Sequence, residues 1–136
     1  MEPFYTRFPS VAMTETLSLI SPPGREVPED TYRFIEHFCS DRGCNCRRVS
    51  FAVFGERTGQ KIHALISYGW ETKAFYAKWS GEPIGKFDYQ GPYFDLTIPP
   101  PEYAQIFMDT LKEAIKNKDF IKQLKRHYTM FRGSIR

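Results

Sequence analysis

Val49-Ser50-Phe51-Ala52-Val53-Phe54-Gly55-Glu56-Arg57-Thr58-Gly59-Gln60-Lys61-Ile62-His63-Ala64-Leu65-Ile66-Ser67-Tyr68 is the stretch that decides the fold. Val49, Phe51 and Val53 recur with the period of a strand, Gly55 to Gly59 supplies a turn, and Ile62, Ala64, Ile66 and Tyr68 repeat the alternation. After Gly69, Phe75, Ala77 and Trp79 read as a third strand. Ser80-Gly81-Glu82-Pro83 turns the chain, and Phe94, Leu96 and Ile98 read as a last strand. These connections are too short for parallel crossovers, so the strands are expected to form an antiparallel meander.

Outward from this centre, prolines punctuate the chain. Met13, Glu15, Leu17 and Leu19 alternate with Thr14, Thr16, Ser18 and Ile20, the pattern of an N-terminal strand. Pro22-Pro23-Gly24 and Pro28 break that segment from the next. Glu29 and Asp30 suit the positive end of a helix dipole, with Tyr32, Ile35, Phe38 and Cys39 on one helical face. Beyond Pro99-Pro100-Pro101, Tyr103, Phe107, Leu111 and Ala114 fall at helical spacing. Past Asn117, with Asp119 as the expected cap, Phe120, Leu124, His127 and Phe131 form a second stripe that Gly133 ends. The expected architecture is α+β: an antiparallel meander of about four to five strands, a short helix in the N-terminal half, and two C-terminal helices packed on the sheet.

The 136 residues are 41% hydrophobic, 26% charged and 16% aromatic, and show no fixed-period repeat or linker-like run, which predicts a single domain over 1–136. The net charge of +3 is uneven. Residues 111–136 hold eight Lys/Arg against two acids, a balance of +6, which leaves −3 on the other 110 residues. No apolar run approaches the ~18 to 20 residues of a membrane span, and the first residues lack a signal-peptide pattern. A cytoplasmic protein without a membrane partner is expected.

The three cysteines, an odd count unlike a disulfide framework, stand as Cys39-Ser40-Asp41-Arg42-Gly43-Cys44-Asn45-Cys46. Asp41-Arg42-Gly43 is turn-forming and returns Cys44 toward Cys39, while Cys44 and Cys46, two apart, face the same way at the start of a strand. Three thiolates converging in this way suit Zn²⁺, which asks for a fourth ligand. His127, on the apolar stripe of the last helix, is the first choice, because a ligand there would clamp distant segments together. His37 is the second. Three thiolates, an imidazole and Zn²⁺ sum to −1, which Arg47 or Arg48, immediately after Cys46, could offset from beside the ligands. The competing readings are inert buried thiols and a redox or nucleophilic site.

The stretch Glu36-His37-Phe38-Cys39-Ser40-Asp41-Arg42-Gly43-Cys44-Asn45-Cys46-Arg47-Arg48-Val49 resembles a segment in a loosely defined group of uncharacterised bacterial proteins. There an acid and an aromatic precede Cys-x4-Cys-x-Cys-Arg-Arg-Val, and some members also carry the zinc-binding SEC-C motif. Ile66 to Glu71 and Arg126-His127-Tyr128 are similar to the same group. The resemblance implies a zinc-binding fold. This chain lacks the downstream Cys-x-Cys with paired Cys-Cys or Cys-His, so the partners of the SEC-C motif are not carried over.

Three functions follow as expectations. The first is a non-catalytic, zinc-stabilised domain acting through an unknown protein partner, given that no nucleotide loop or other catalytic signature occurs. The second is a nucleic-acid binder using Arg47, Arg48, the basic last helix (Lys122, Lys125, Arg126, Arg132) and the aromatics Tyr68, Trp70 and Tyr76. The third is a zinc or thiol enzyme, for which Glu36 and Glu71 are candidate bases.

Overall fold

A computed structural model describes residues 1–135. Its centre is the meander: β3 (Asp30–Phe38), β4 (Arg48–Gly55) and β5 (Ile62–Gly69) pair antiparallel in that order. Val49 lies opposite Tyr68, Phe51 opposite Ile66 and Val53 opposite Ala64, so these residues share one face, while an irregularity after Val53 sets Ile62 opposite Phe54. Two short strands, β1 (Glu2–Pro3) and β2 (Ser18–Ser21), pair with opposite ends of β3, and β6 (Tyr93–Phe94) closes the far edge beside β5. The result is an α+β fold with a six-stranded sheet.

On the apolar face lie two helices at the C-terminal end, α3 (Gln105–Ile115) and α4 (Lys118–Ser134). Phe107 meets Phe34 with ring centroids 6.2 Å apart, and Phe120 meets Phe51 at 6.5 Å. Phe107, Leu111, Leu124 and Phe131 are fully buried, each contributing about 1.5–3 kcal/mol of burial free energy. The two predicted stripes are thus the core face. The cap differs: Asn117 Oδ1 accepts the Asp119 N–H, and Gly133 sits inside the last turn rather than ending it.

Four expected elements change type or length. The helix expected after Pro28 is strand β3, with Tyr32, Phe34 and Phe38 facing the core. Its aromatic and β-branched residues fit a pleated surface, and pairing on both sides outweighs the acidic start. Conversely, Phe75, Ala77 and Trp79 belong to helix α2 (Lys73–Ser80), started by the Thr72 hydroxyl, which accepts the Phe75 N–H, and ended by left-handed Gly81. The N-terminal alternation is split into α1 (Pro9–Glu15), with Pro9 in its first turn, and the four-residue β2. The last strand stops at Phe94, and Leu96 is exposed.

Among the described residues, no helix is long and apolar enough to cross a membrane.

Candidate metal centre

The cysteines occupy the loop between β3 and β4. Asp41 Oδ1 accepts the Gly43 N–H at 3.0 Å and the Asp41 carbonyl accepts the Cys44 N–H at 3.1 Å, a tight turn that reverses the chain as its residue types demand. All three sulfurs lie within 4.8 Å of one another. A tetrahedral ion with sulfurs at about 2.3 Å places them roughly 3.8 Å apart, so the group is close to the spacing that one ion needs. Cys39 leaves the end of β3 rather than a helix, and Cys44 and Cys46 precede β4 rather than lying in it.

Electrostatics agree with this placement. Burial pushes the Cys46 thiol up to about 12, reinforced by Cys44, while the Arg48 backbone N–H pulls the other way. Burial also raises Cys39, opposed by the Asp41 backbone N–H. Without a cation these thiols stay protonated, which makes them poor nucleophiles. A divalent ion among them reverses the balance, because it stabilises thiolates directly. The backbone amides of Asp41 and Arg48, each two residues past a cysteine, already favour the charged sulfur.

Helix α4 holds the loop from below. The Arg132 guanidinium donates to the carbonyls of Cys39 at 2.9 Å, Asp41 at 2.7 Å and Arg42 at 3.0 Å, using three of its five N–H groups. Arg47, a non-glycine residue at φ 50°, is pinned on both sides: its N–H donates to Tyr128 Oη at 3.2 Å and its carbonyl accepts from Tyr76 Oη at 2.7 Å. The Tyr76 ring passes so close to Gly69 that any side chain there would overlap it.

The two arginines expected beside the ligands work elsewhere. Arg47 pairs with Glu71 at 3.5 Å and lies over the Phe75 ring. Arg48, 5% exposed, turns into a box of Tyr76, Trp79, Tyr89 and Tyr93, its guanidinium carbon 5.4–5.7 Å from each ring centroid. There it donates to the Tyr89 carbonyl and to Tyr93 Oη at 2.6 Å, tying the 82–93 segment to β4. Arg132, which is 86 positions from Cys46, supplies the charge near the cysteines instead; no spacing in the sequence marks it.

His127 does not join the sulfurs. Fully buried beneath the Phe4 ring, 4.4 Å away, it places Nδ1 2.7 Å from Glu36 and Nε2 2.8 Å from Glu15, so both ring nitrogens are engaged by carboxylates. Burial alone would lower its pKa, but the two carboxylates overcome this and hold it above the usual imidazole range. The fourth-ligand expectation fails here for a simple reason: a buried imidazole needs partners, and two acids reach it first. His37 binds the Ile35 carbonyl through Nδ1 at 2.9 Å, and it too stands outside the cysteine group. Glu36, named as a candidate base, is instead part of this buried carboxylate–imidazole–carboxylate set.

The chain has an α+β fold with a three-cysteine group able to hold a metal ion. Comparison with protein-family models, with curated proteins and with solved structures finds no match.

Proposed function

We propose that this is a small zinc-binding domain, held in a reducing compartment such as the cytoplasm, in which the ion fixes the 39–47 loop and the domain acts through protein contacts rather than catalysis. The observation that carries this is the convergence of three sulfurs within 4.8 Å. Three sulfur donors this close suit zinc, which would bind them as thiolates and link the β3 and β4 ends. The resemblance of residues 36–49 to the bacterial group supports the same reading.

The two rivals have less behind them. A nucleic-acid face needs free cations and exposed rings. Arg47, Arg48, Arg126 and Arg132 all have partners within the chain, Tyr76 is buried, and Trp70 packs against Tyr128 at 5.2 Å, which leaves Lys122 and Lys125 as the exposed cations of the expected face. A thiol enzyme needs a depressed thiol pKa, and burial moves Cys39 and Cys46 upward.

The test is elemental analysis of protein purified without chelator, paired with Cys44→Ser. Wild type is expected to carry about one equivalent of zinc and the variant far less, with a strong chelator lowering the wild-type Tm. Wild type holding only a small fraction of an equivalent sinks the proposal.

A further inference from the structure

The fourth donor is the open question at this loop, and the structure narrows it. Among the described residues no Asp, Glu or His joins the three sulfurs within 4.8 Å. His127 is closed off by Glu36 and Glu15. His37 lies opposite Ser50 in the register, one position out of phase with core-facing Phe38, so its ring is on the other face of the sheet. His63 is engaged by Thr58 at 2.8 Å and Tyr103 at 3.1 Å. Asp41, the acid of the loop, uses Oδ1 on the Gly43 N–H. Cys46 is buried but Cys39 and Cys44 are half-exposed, so the group opens to solvent on their side.

We infer that the metal at this site, resting on the zinc reading above, takes its fourth donor from outside the chain, and that this donor is an exchangeable thiolate. Three sulfurs select a soft ion, and a soft ion favours a further sulfur. Arg132, donating to the carbonyls of Cys39, Asp41 and Arg42, places positive charge beside the sulfurs, which favours an anionic donor. The step is a ligand exchange without oxidation: the incoming thiol gives its proton to solvent as its sulfur binds, and the donor it displaces leaves to solvent. A second copy of the chain has no spare thiol, because all three of its cysteines are in the same group. The source is therefore a small thiol or a cysteine on a different protein.

Loading the full chain with Co²⁺ tests this by visible and near-ultraviolet absorption. Sulfur-to-cobalt charge transfer grows with the number of thiolates, so titration with 2-mercaptoethanol is expected to raise that band by about one third, three sulfurs becoming four, with cobalt retained after desalting. A short peptide with one internal cysteine, against its serine counterpart, separates the sources. A response to the peptide assigns a protein cysteine as an acceptable donor, and a response to 2-mercaptoethanol alone assigns a small thiol. A cobalt spectrum that neither thiol moves overturns the inference, and a change in that spectrum in His37→Gln or His127→Gln overturns it in favour of an internal imidazole. Both results leave the metal reading standing. Absence of any charge-transfer band in wild type overturns the metal reading itself.

Discussion

Replacing His127 by glutamine separates the two roles a buried histidine could have in this fold. The imidazole is 0% exposed, Glu36 5% and Glu15 27% in their side chains, so the substitution removes the cation between one buried and one half-buried carboxylate. Breaking a buried pair from one side costs about 3–5 kcal/mol, and because Glu36 can relieve its charge by taking up a proton, the lower figure of about 3 kcal/mol is expected. At an unfolding entropy near 2.1 cal/mol/K per residue, that is a fall of about 10 °C in Tm for 136 residues. The assay is urea and thermal unfolding of both proteins across pH, with metal content measured on the same samples.

The pH dependence has a definite sign. His127 is raised from 6.5, so its contribution is complete below that value and is lost as pH rises through its higher folded pKa. Glu15 is lowered from 4.5, first by the His127 hydrogen bond and against burial, so its contribution is present above 4.5 and is lost as pH falls through its depressed pKa. Burial raises Glu36 in spite of His127, a loss of stability with rising pH that both proteins carry and that does not narrow the difference between them. The stability gap between wild type and His127→Gln should therefore be widest between pH 4.5 and 6.5 and shrink on both sides. A gap below about 1 kcal/mol, or one flat with pH, refutes the ion-pair account. Loss of bound metal in a folded variant refutes the placement of His127 away from the cysteines.

Two further outcomes follow from the arginines. Arg132→Leu removes three hydrogen bonds to the loop carbonyls, and a competition titration should show metal affinity falling about 10- to 100-fold while the cysteines remain intact. Arg48→Met leaves the aromatic box without its cation and strips the Tyr89 carbonyl and Tyr93 hydroxyl of their donor. A loss of about 2 kcal/mol or more is expected, with hydrogen exchange or limited proteolysis showing the 82–93 segment loosening first.

The contrast between legible and illegible parts follows from range. The stripes of the two C-terminal helices are legible because their faces differ in burial, and Val49 to Tyr68 because large apolar side chains alternate there with small or polar ones, even though β4 is buried on both faces. The cysteine turn was readable for the same reason, since Asp41 and Gly43 shape it within four residues. Residues 30–38 suit either period, because Tyr32 and Phe38 share a helical face with Ile35 or a strand face with Phe34, and hydrogen bonds to β4 and to both short strands decide for the strand. The reading of α2 as a strand failed although Thr72 and Gly81 flank it as helix signals. There the aromatics dominated the pattern.

The sequence by itself determined the antiparallel pair β4 and β5, the helical C-terminal end and the set of three cysteines, because each is encoded in residues adjacent along the chain. Only the tertiary structure decided which charged groups meet. Glu15 and Glu36 reach His127 across 112 and 91 positions, and Arg132 reaches Cys39 across 93. A histidine's partner or an arginine's carbonyls are chosen by which buried groups would otherwise stand unpaired, and that choice exists only once the elements have packed.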